Sequence, residues 1–228
     1  MNPTRTNAVI AGSLFLIAMV TSLLGGSILE SAINTSDYLL NFSTNTPRVY
    51  TGITLELING IAVIGIAVSL FPVLRQQKES IAAGYVSFRI VESVFCIVSA
   101  IIPLLLINLS REYVNAEIAD KSVYQALASF IISARVHITG LLIPVFFSLG
   151  ALLFYYLLYK SKLIPRYIAV WGFTGAVLIL LLNLLKTGTL LNMILVLPII
   201  LNEIFLGIWL IVKGFNPAIA VNSSNVEY

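Results

Sequence analysis

The chain contains six apolar runs that are each long enough to cross the hydrocarbon core of a bilayer as a helix. A helix rises 1.5 Å per residue, so about 20 residues span the ~30 Å of hydrocarbon. In lipid, only helices and closed barrels satisfy every backbone polar group. The sequence therefore predicts an all-α fold, a polytopic membrane helix bundle with about six transmembrane helices. The runs cover residues 7–29, 50–74, 82–109, 136–159, 167–185 and 191–212.

The low charge content supports a membrane location. Of the 228 residues, 59% are hydrophobic and 10% are charged, whereas a soluble domain carries about 25% charged residues. So few charges could not coat a water-soluble globule of this size, and the lipid bilayer is the partner that the composition requires. We expect residues 1–215 to form one six-helix transmembrane domain and residues 216–228 to form a short flexible tail.

The composition also limits the chemistry. The chain has one cysteine, Cys96, and one histidine, His137. An intrachain disulfide is therefore excluded, and neither a zinc site nor an iron–sulfur site is expected, so no cofactor is predicted. The net charge of +3 is small and dispersed, which does not favour binding of nucleic acid.

The loops carry an uneven distribution of Lys and Arg, which concentrate on the cytoplasmic side of membrane proteins. Three of these cations fall in the short segment 160–166 between the fourth and fifth runs. With the N-terminus inside, seven cations are inner and five are outer. This bias predicts that both termini are cytoplasmic. The inner set is Arg5, Arg75, Lys78, Lys160, Lys162, Arg166 and Lys213, and the outer set is Arg48, Arg111, Lys121, Arg135 and Lys186.

Two longer segments connect the runs on the outer side. Residues 30–49 are rich in Ser, Thr and Asn and show no clear period. Residues 110–135 carry apolar residues near helical spacing, with charged residues between them. The second segment is either a helix lying on the outer surface or an extension of the fourth span.

Several polar side chains fall inside the apolar runs and form a candidate intramembrane network. A charge placed in hydrocarbon costs at least ~2.5–3.5 kcal/mol on insertion scales, so each needs a reason. Counting residues from the ends of the runs places three of the charges at a similar depth in the inner half of the bilayer. The candidate residues are Glu56, Asn59, Arg89, Glu92, His137 and Glu203.

Helical spacing relates several members of this network. Arg89 and Glu92 are three residues apart and share a helix face. Because a guanidinium cannot easily lose its proton, we expect Arg89 to pair with at least one of Glu92 and Glu203. Glu56 and Asn59 repeat the same spacing nearer the outer boundary, with His137 above them.

Three functional interpretations follow from this network. The first is a membrane protein without catalytic activity, in which the Arg/Glu network locks helices together. The alternative is a transporter of a small solute or ion, which requires a cavity that reaches Glu92 or Glu203. The second alternative is an intramembrane enzyme. It is disfavoured because the acids are accompanied by no Ser–His pair and no metal-ligand spacing.

The sequence also resembles a known family over nearly its whole length. The chain is similar to the domain-of-unknown-function 4386 family of bacterial multipass membrane proteins. The resemblance implies a bundle in the bacterial inner (cytoplasmic) membrane, and it implies no substrate and no catalytic residue. It rests on Ala11-Gly12-x-Leu14-Phe15-x-Ile17, Arg89-Ile90-Val91-Glu92, Leu157-Leu158-Tyr159-Lys160-Ser161, Pro165-Arg166, Asn202-Glu203 and the run Gly207 to Gly214.

Overall fold

The fold is that of a computed structural model, which describes residues 3–117, 121–185 and 189–216. No strand occurs within these ranges, and the predicted all-α fold class is confirmed. The tail predicted for residues 216–228 lies outside the described residues from 217 onward. The helices are α1 (Pro3–Ile33), α2 (Tyr38–Thr44), α3 (Thr46–Asn115), α4 (Lys121–His137), a π-helical turn (Ile138–Leu142), α5 (Ile143–Ser161), α6 (Arg166–Leu185) and α7 (Thr189–Val212).

Five continuous helical segments of the described chain are long and apolar enough to cross a membrane, and α3 contains two of the predicted spans. Its 70 residues would measure ~105 Å if straight, more than three bilayer cores. Lys78 has extended backbone angles (φ −162°, ψ 102°) and interrupts the helix. We call the two arms α3a (46–77) and α3b (79–115). They pack side by side, and Ser93 Oγ of α3b donates a 2.6 Å hydrogen bond to the Gly60 carbonyl of α3a.

The six spans form a closed ring in the order α1, α3a, α3b, α5, α6 and α7, with α7 returning to α1. Every one of the six interfaces contains a glycine. A methyl group at any of these glycines would lie within 3.3 Å of an atom on the neighbouring helix. Small residues allow close backbone approach in lipid, where dispersion contacts hold helices together. The glycines are Gly12, Gly25, Gly52, Gly60, Gly65, Gly84, Gly150, Gly172, Gly175 and Gly207.

The two connections that were predicted on the outer side both contain helix, interrupted at residues 34–37, at Asn45 and at residues 116–117. The π-helical turn joins α4 directly to α5, so the segment before the fourth span extends that span, as one of the two interpretations proposed. The segment without a clear period contains α2, whose start is capped by Asp37 accepting a hydrogen bond from the Leu40 N–H. Leu39 and Phe42 of α2 are buried against the bundle.

The ring has two distinguishable ends. At the basic end, Arg5 of α1 donates a 2.9 Å hydrogen bond to the Leu210 carbonyl of α7. The Asn216 N–H donates a 2.9 Å bond to the Leu163 carbonyl in the α5–α6 turn. At the opposite, α2 end, a separate apolar cluster joins α2 to the ends of α1, α3 and α4. Several polar side chains within the spans, among them Asn59, Glu92 and Glu203, line cavities inside the bundle.

Candidate functional site

A central cavity of about 290 Å³ lies inside the ring and is lined by residues from all six spans. Most of its lining is apolar, which leaves a small number of polar groups to define its chemistry. The three charged residues expected at a similar depth all line it. The polar lining includes Asn59, Arg89, Glu92, Asn183 and Glu203.

Arg89 and Glu92 form a buried ion pair within α3b. Arg89 Nη1 lies 2.9 Å from Glu92 Oε2, and each side chain is only 5% exposed. The expected pairing of Arg89 with Glu92 is therefore present. Because both residues belong to one helix, this pair links no two helices. The Arg89 guanidinium carbon also lies 5.6 Å from the centre of the Phe147 ring, and its Nε is buried without a partner among the described residues.

Glu203 of α7 lines the same cavity but makes no ion pair or hydrogen bond with any described residue. Its neighbour Asn202 is fully buried and donates a 3.0 Å hydrogen bond to the Ile168 carbonyl of α6. The structure thus sets an unpaired carboxylate beside the Arg89–Glu92 pair. One cation and two carboxylates give the central cavity a net charge of −1 when all three are ionised.

A second cavity of about 190 Å³, the α2-side cavity, contains the other ion pair. Arg135 of α4 contacts both carboxylate oxygens of Glu56 in α3a, at 2.6 and 3.0 Å. Arg135 also donates a hydrogen bond to the Ser99 carbonyl. The two cavities adjoin, since both are lined by Ser22, Asn59, Cys96 and Ile143.

Arg135 is the buried charged residue that sequence analysis missed, because it was assigned to the outer connection. Its side chain is 5% exposed. The signal that locates it is the burial along its helix face, which the sequence alone does not show. Arg135 shares a helix face with Ala128, seven residues earlier and fully buried, and with Thr139, four residues later and a lining residue of the α2-side cavity. A cation on the buried face of a helix needs a carboxylate, and Glu56 was available.

The structure does not bring His137 into either cluster, which corrects its assignment to the network. His137 is exposed, and its Nδ1 lies 2.7 Å from the Ser133 carbonyl on the same helix. Residues two apart on a helix do not face the same way. Since Arg135 faces the bundle interior, His137 has to face outward.

Four aromatic residues, Phe15, Tyr85, Phe154 and Tyr155, form an aromatic floor between the central cavity and the basic end. The Phe154 ring lies 6.2 Å from Phe15, 5.1 Å from Tyr85 and 5.1 Å from Tyr155. All four are at most 5% exposed, and Phe15 also lines the cavity. The polar interior is therefore separated from the basic end by packed aromatic rings.

The described residues contain no group of three His, Cys, Asp or Glu side chains placed to hold a metal ion. Cys96 is buried between the two cavities, with its Sγ 3.9 Å from Asn59 Nδ2. The charged and polar groups that line the two cavities can offer charge and hydrogen bonds to a ligand.

The comparison with family models matches residues 10–214 to the family described as Domain of unknown function (DUF4386). The chain belongs to the DUF4386 family. The matched region contains nearly all of the six-span ring and every charged residue of both cavities, so the resemblance found in the sequence is confirmed. Searches of the curated proteins and of the solved structures gave no match. In this DUF4386 protein, the two cavities are the features that bear on function.

Proposed function

We propose that this DUF4386 protein binds a small cationic solute in its central cavity and carries it across the membrane. The observation behind the proposal is the Glu203 carboxylate, which faces a 290 Å³ cavity without a partner among the described residues. Charged groups inside membranes are costly and mark ion or substrate pathways. An interior that only holds helices together does not require a carboxylate without a partner.

The two ion pairs support different interpretations, one structural and the other of transport. Glu56 and Arg135 join α3a to α4, so this pair suits the structural role of holding helices together. Arg89 and Glu92 lie on one helix, so their ion pair does not join two helices. The charged groups of the central cavity are then available to bind a ligand.

The size and charge of the cavities define the class of solute. A water molecule occupies about 30 Å³ in the liquid, so the central cavity has room for roughly ten waters or a solute of similar size. Both cavities carry a net charge of −1 when ionised, which favours a cation and disfavours an anion. The central cavity contains Arg89 with Glu92 and Glu203, and the α2-side cavity contains Arg135 with Glu30 and Glu56.

The route proposed runs from the α2 end toward the basic end. Glu30 and Ser22 are exposed and line the α2-side cavity, which adjoins the central cavity. We assign the aromatic floor as the closed gate of this conformation. Passage of the solute then requires the floor to open while the α2-side cavity closes, with the contact between Glu56 and Arg135 kept in both conformations.

We further propose that the protein resides in the cytoplasmic membrane of a bacterium with both termini inside. Placing Arg135 in the interior leaves four outer cations, Arg48, Arg111, Lys121 and Lys186, against seven inner ones. This stronger bias supports a cytoplasmic basic end. The α2 end would then face outward.

Access to the cavity can be tested with charged thiol reagents. In a Cys96→Ala background, Asn59→Cys places one thiol where the two cavities meet. We expect the cationic reagent aminoethyl methanethiosulfonate to modify it faster than the anionic sulfonatoethyl reagent. Glu203→Gln should remove this preference, and a surface thiol from Ser36→Cys should keep its own rates in both backgrounds. An unreactive Asn59→Cys thiol would indicate a dry interior and restore the purely structural interpretation.

Transport itself is tested in proteoliposomes with imposed gradients of sodium, potassium, ammonium or choline. A potential-sensitive dye should report movement of at least one of these cations by the wild-type protein and not by Glu203→Gln. If the thiol reacts as expected but none of the four cations moves, the transport part of the proposal is wrong.

A further inference from the structure

A separate cavity of about 610 Å³, the basic pocket, lies at the basic end between the α5–α6 turn and the residues that follow α7. Three exposed cations line it, namely Lys162, Arg166 and Lys213. No Asp or Glu occurs among the described residues of its lining. The pocket therefore presents concentrated positive charge with no described carboxylate to neutralise it, and it is remote from the central cavity.

The walls of the basic pocket are tied together by contacts distant in sequence. The hydrogen bond from the Asn216 N–H to the Leu163 carbonyl joins its two sides. Arg5 donates to the carbonyls of Leu210 and Ile211 at the C-terminal end of α7. This capping covers the negative end of the α7 dipole beside the pocket and adds a fourth cation close by.

Lys162 adopts a backbone conformation that is unusual for its residue type. It ends α5 with φ 56° and ψ 26°, in the left-handed region. Glycine usually takes this position at a helix end, because a side chain there is disfavoured. A lysine kept in this conformation at the mouth of a basic pocket is a backbone outlier of the kind that marks functional sites.

An apolar groove of about 270 Å³, the aromatic groove, runs along α5 and α6 from the same turn. Arg166 connects the two features, since it lines the basic pocket while its guanidinium carbon lies 5.0 Å from the centre of the Tyr159 ring in the groove. A free phosphate would use the pocket alone. Only a ligand with a phosphate and an apolar chain would use both. The groove is lined by Tyr155, Tyr156, Tyr159, Lys160, Ala169, Val170 and Phe173.

We propose that the basic pocket binds the phosphate of an anionic phospholipid and that the aromatic groove holds one of its acyl chains. Basic pockets between membrane helices suit anionic headgroups, and Lys and Arg donate charge-assisted hydrogen bonds to phosphate oxygens. Trp209, which also lines the pocket, is a residue type that favours the headgroup level of a membrane.

The test compares three probes on detergent-purified protein, namely dioctanoyl phosphatidylglycerol, dioctanoyl phosphatidylcholine and inorganic phosphate. We expect phosphatidylglycerol alone to raise the melting temperature in a saturable manner. Lys213→Gln should weaken its apparent affinity about fivefold, the effect expected for one cation near an anionic headgroup. Lys78→Gln removes the same charge at the same end but outside the pocket, and should leave the affinity unchanged.

Two further variants separate binding from folding and lipid from free phosphate. Lys162→Gly removes a charge while relieving the left-handed backbone, so it should weaken lipid binding without lowering the melting temperature of the lipid-free protein. Val170→Trp fills the groove and should weaken binding of phosphatidylglycerol. The proposal is overturned if phosphatidylcholine binds equally well or if neither lipid binds. It is also overturned if inorganic phosphate stabilises the protein as much as phosphatidylglycerol and Val170→Trp has no effect, which would indicate a free-phosphate site.

Discussion

Replacing Arg135 with glutamine should destabilise the protein by about 3 kcal/mol, because the change strands Glu56 inside the bundle. Removing one partner of a buried ion pair typically costs ~3–5 kcal/mol. The structure indicates the lower end of this range. Arg135 makes two contacts to Glu56, at 2.6 and 3.0 Å, and one to the Ser99 carbonyl. However, the Glu56 side chain is 12% exposed and lines a 190 Å³ cavity, so water can solvate the stranded carboxylate.

The assay is a double-mutant cycle of Arg135→Gln, Glu56→Gln and the double variant. Melting of detergent-purified protein can be followed through the fluorescence of Trp171 and Trp209. A loss of 3 kcal/mol corresponds to a fall of ~6–12 °C for a chain of this size. Since the residues contact each other, the double variant should lose at least about 1.5 kcal/mol less than the sum of the two single losses. Arg111→Gln, at an exposed position, is the control and should melt with the wild type. Additive losses in the cycle would refute the pairing.

Three other predictions test the ring, the topology and the α5–α6 turn. Gly12→Ala should destabilise the protein by ~1–3 kcal/mol, since its methyl group would lie 2.6 Å from the Gly207 carbonyl oxygen. Gly26→Ala, with no atom within 4 Å, should instead gain up to ~1 kcal/mol of helix stability, and equal melting of the two variants would contradict the close crossing. With Cys96 replaced, a thiol from Ser36→Cys should react with an impermeant reagent in intact cells. A thiol from Ser80→Cys should react only after permeabilisation, and the reverse pattern would invert the orientation. Lys162→Gly should raise the melting temperature by relieving a left-handed residue, worth about 1 kcal/mol, and a lower value would show that the lysine side chain stabilises the turn.

The predictions that the structure supports rest on local patterns in the sequence. A run of apolar residues specifies a membrane helix because the backbone has to satisfy itself in lipid. The contact between Arg89 and Glu92 depends only on helical spacing. The interruption at Lys78 falls in a polar stretch between two apolar runs, where the second and third spans were separated. All of these follow from neighbours in the chain.

The errors at Arg135 and His137 have one origin. A hydropathy analysis assigns a cation near the end of an apolar run to a loop. It counts the free-energy cost of burying the charge and does not include a partner. Glu56 is 79 residues away and reaches Arg135 only after α3a and α4 have packed together. That packing directs Arg135 inward, and helical geometry then turns His137 outward.

The sequence by itself determined the helical class, the apolar segments that form the long helices and the family, because these depend on composition, periodicity and the order of motifs. Only the tertiary structure decided which helices adjoin, through glycines that permit close crossings such as that of Gly12 with Gly207. The tertiary structure also decided that Glu203 lines a cavity without a described partner while Arg135 is paired. In a bilayer, apolar surface does not distinguish one helix neighbour from another, so the ring depends on shape and on a few buried polar contacts between residues far apart in the chain.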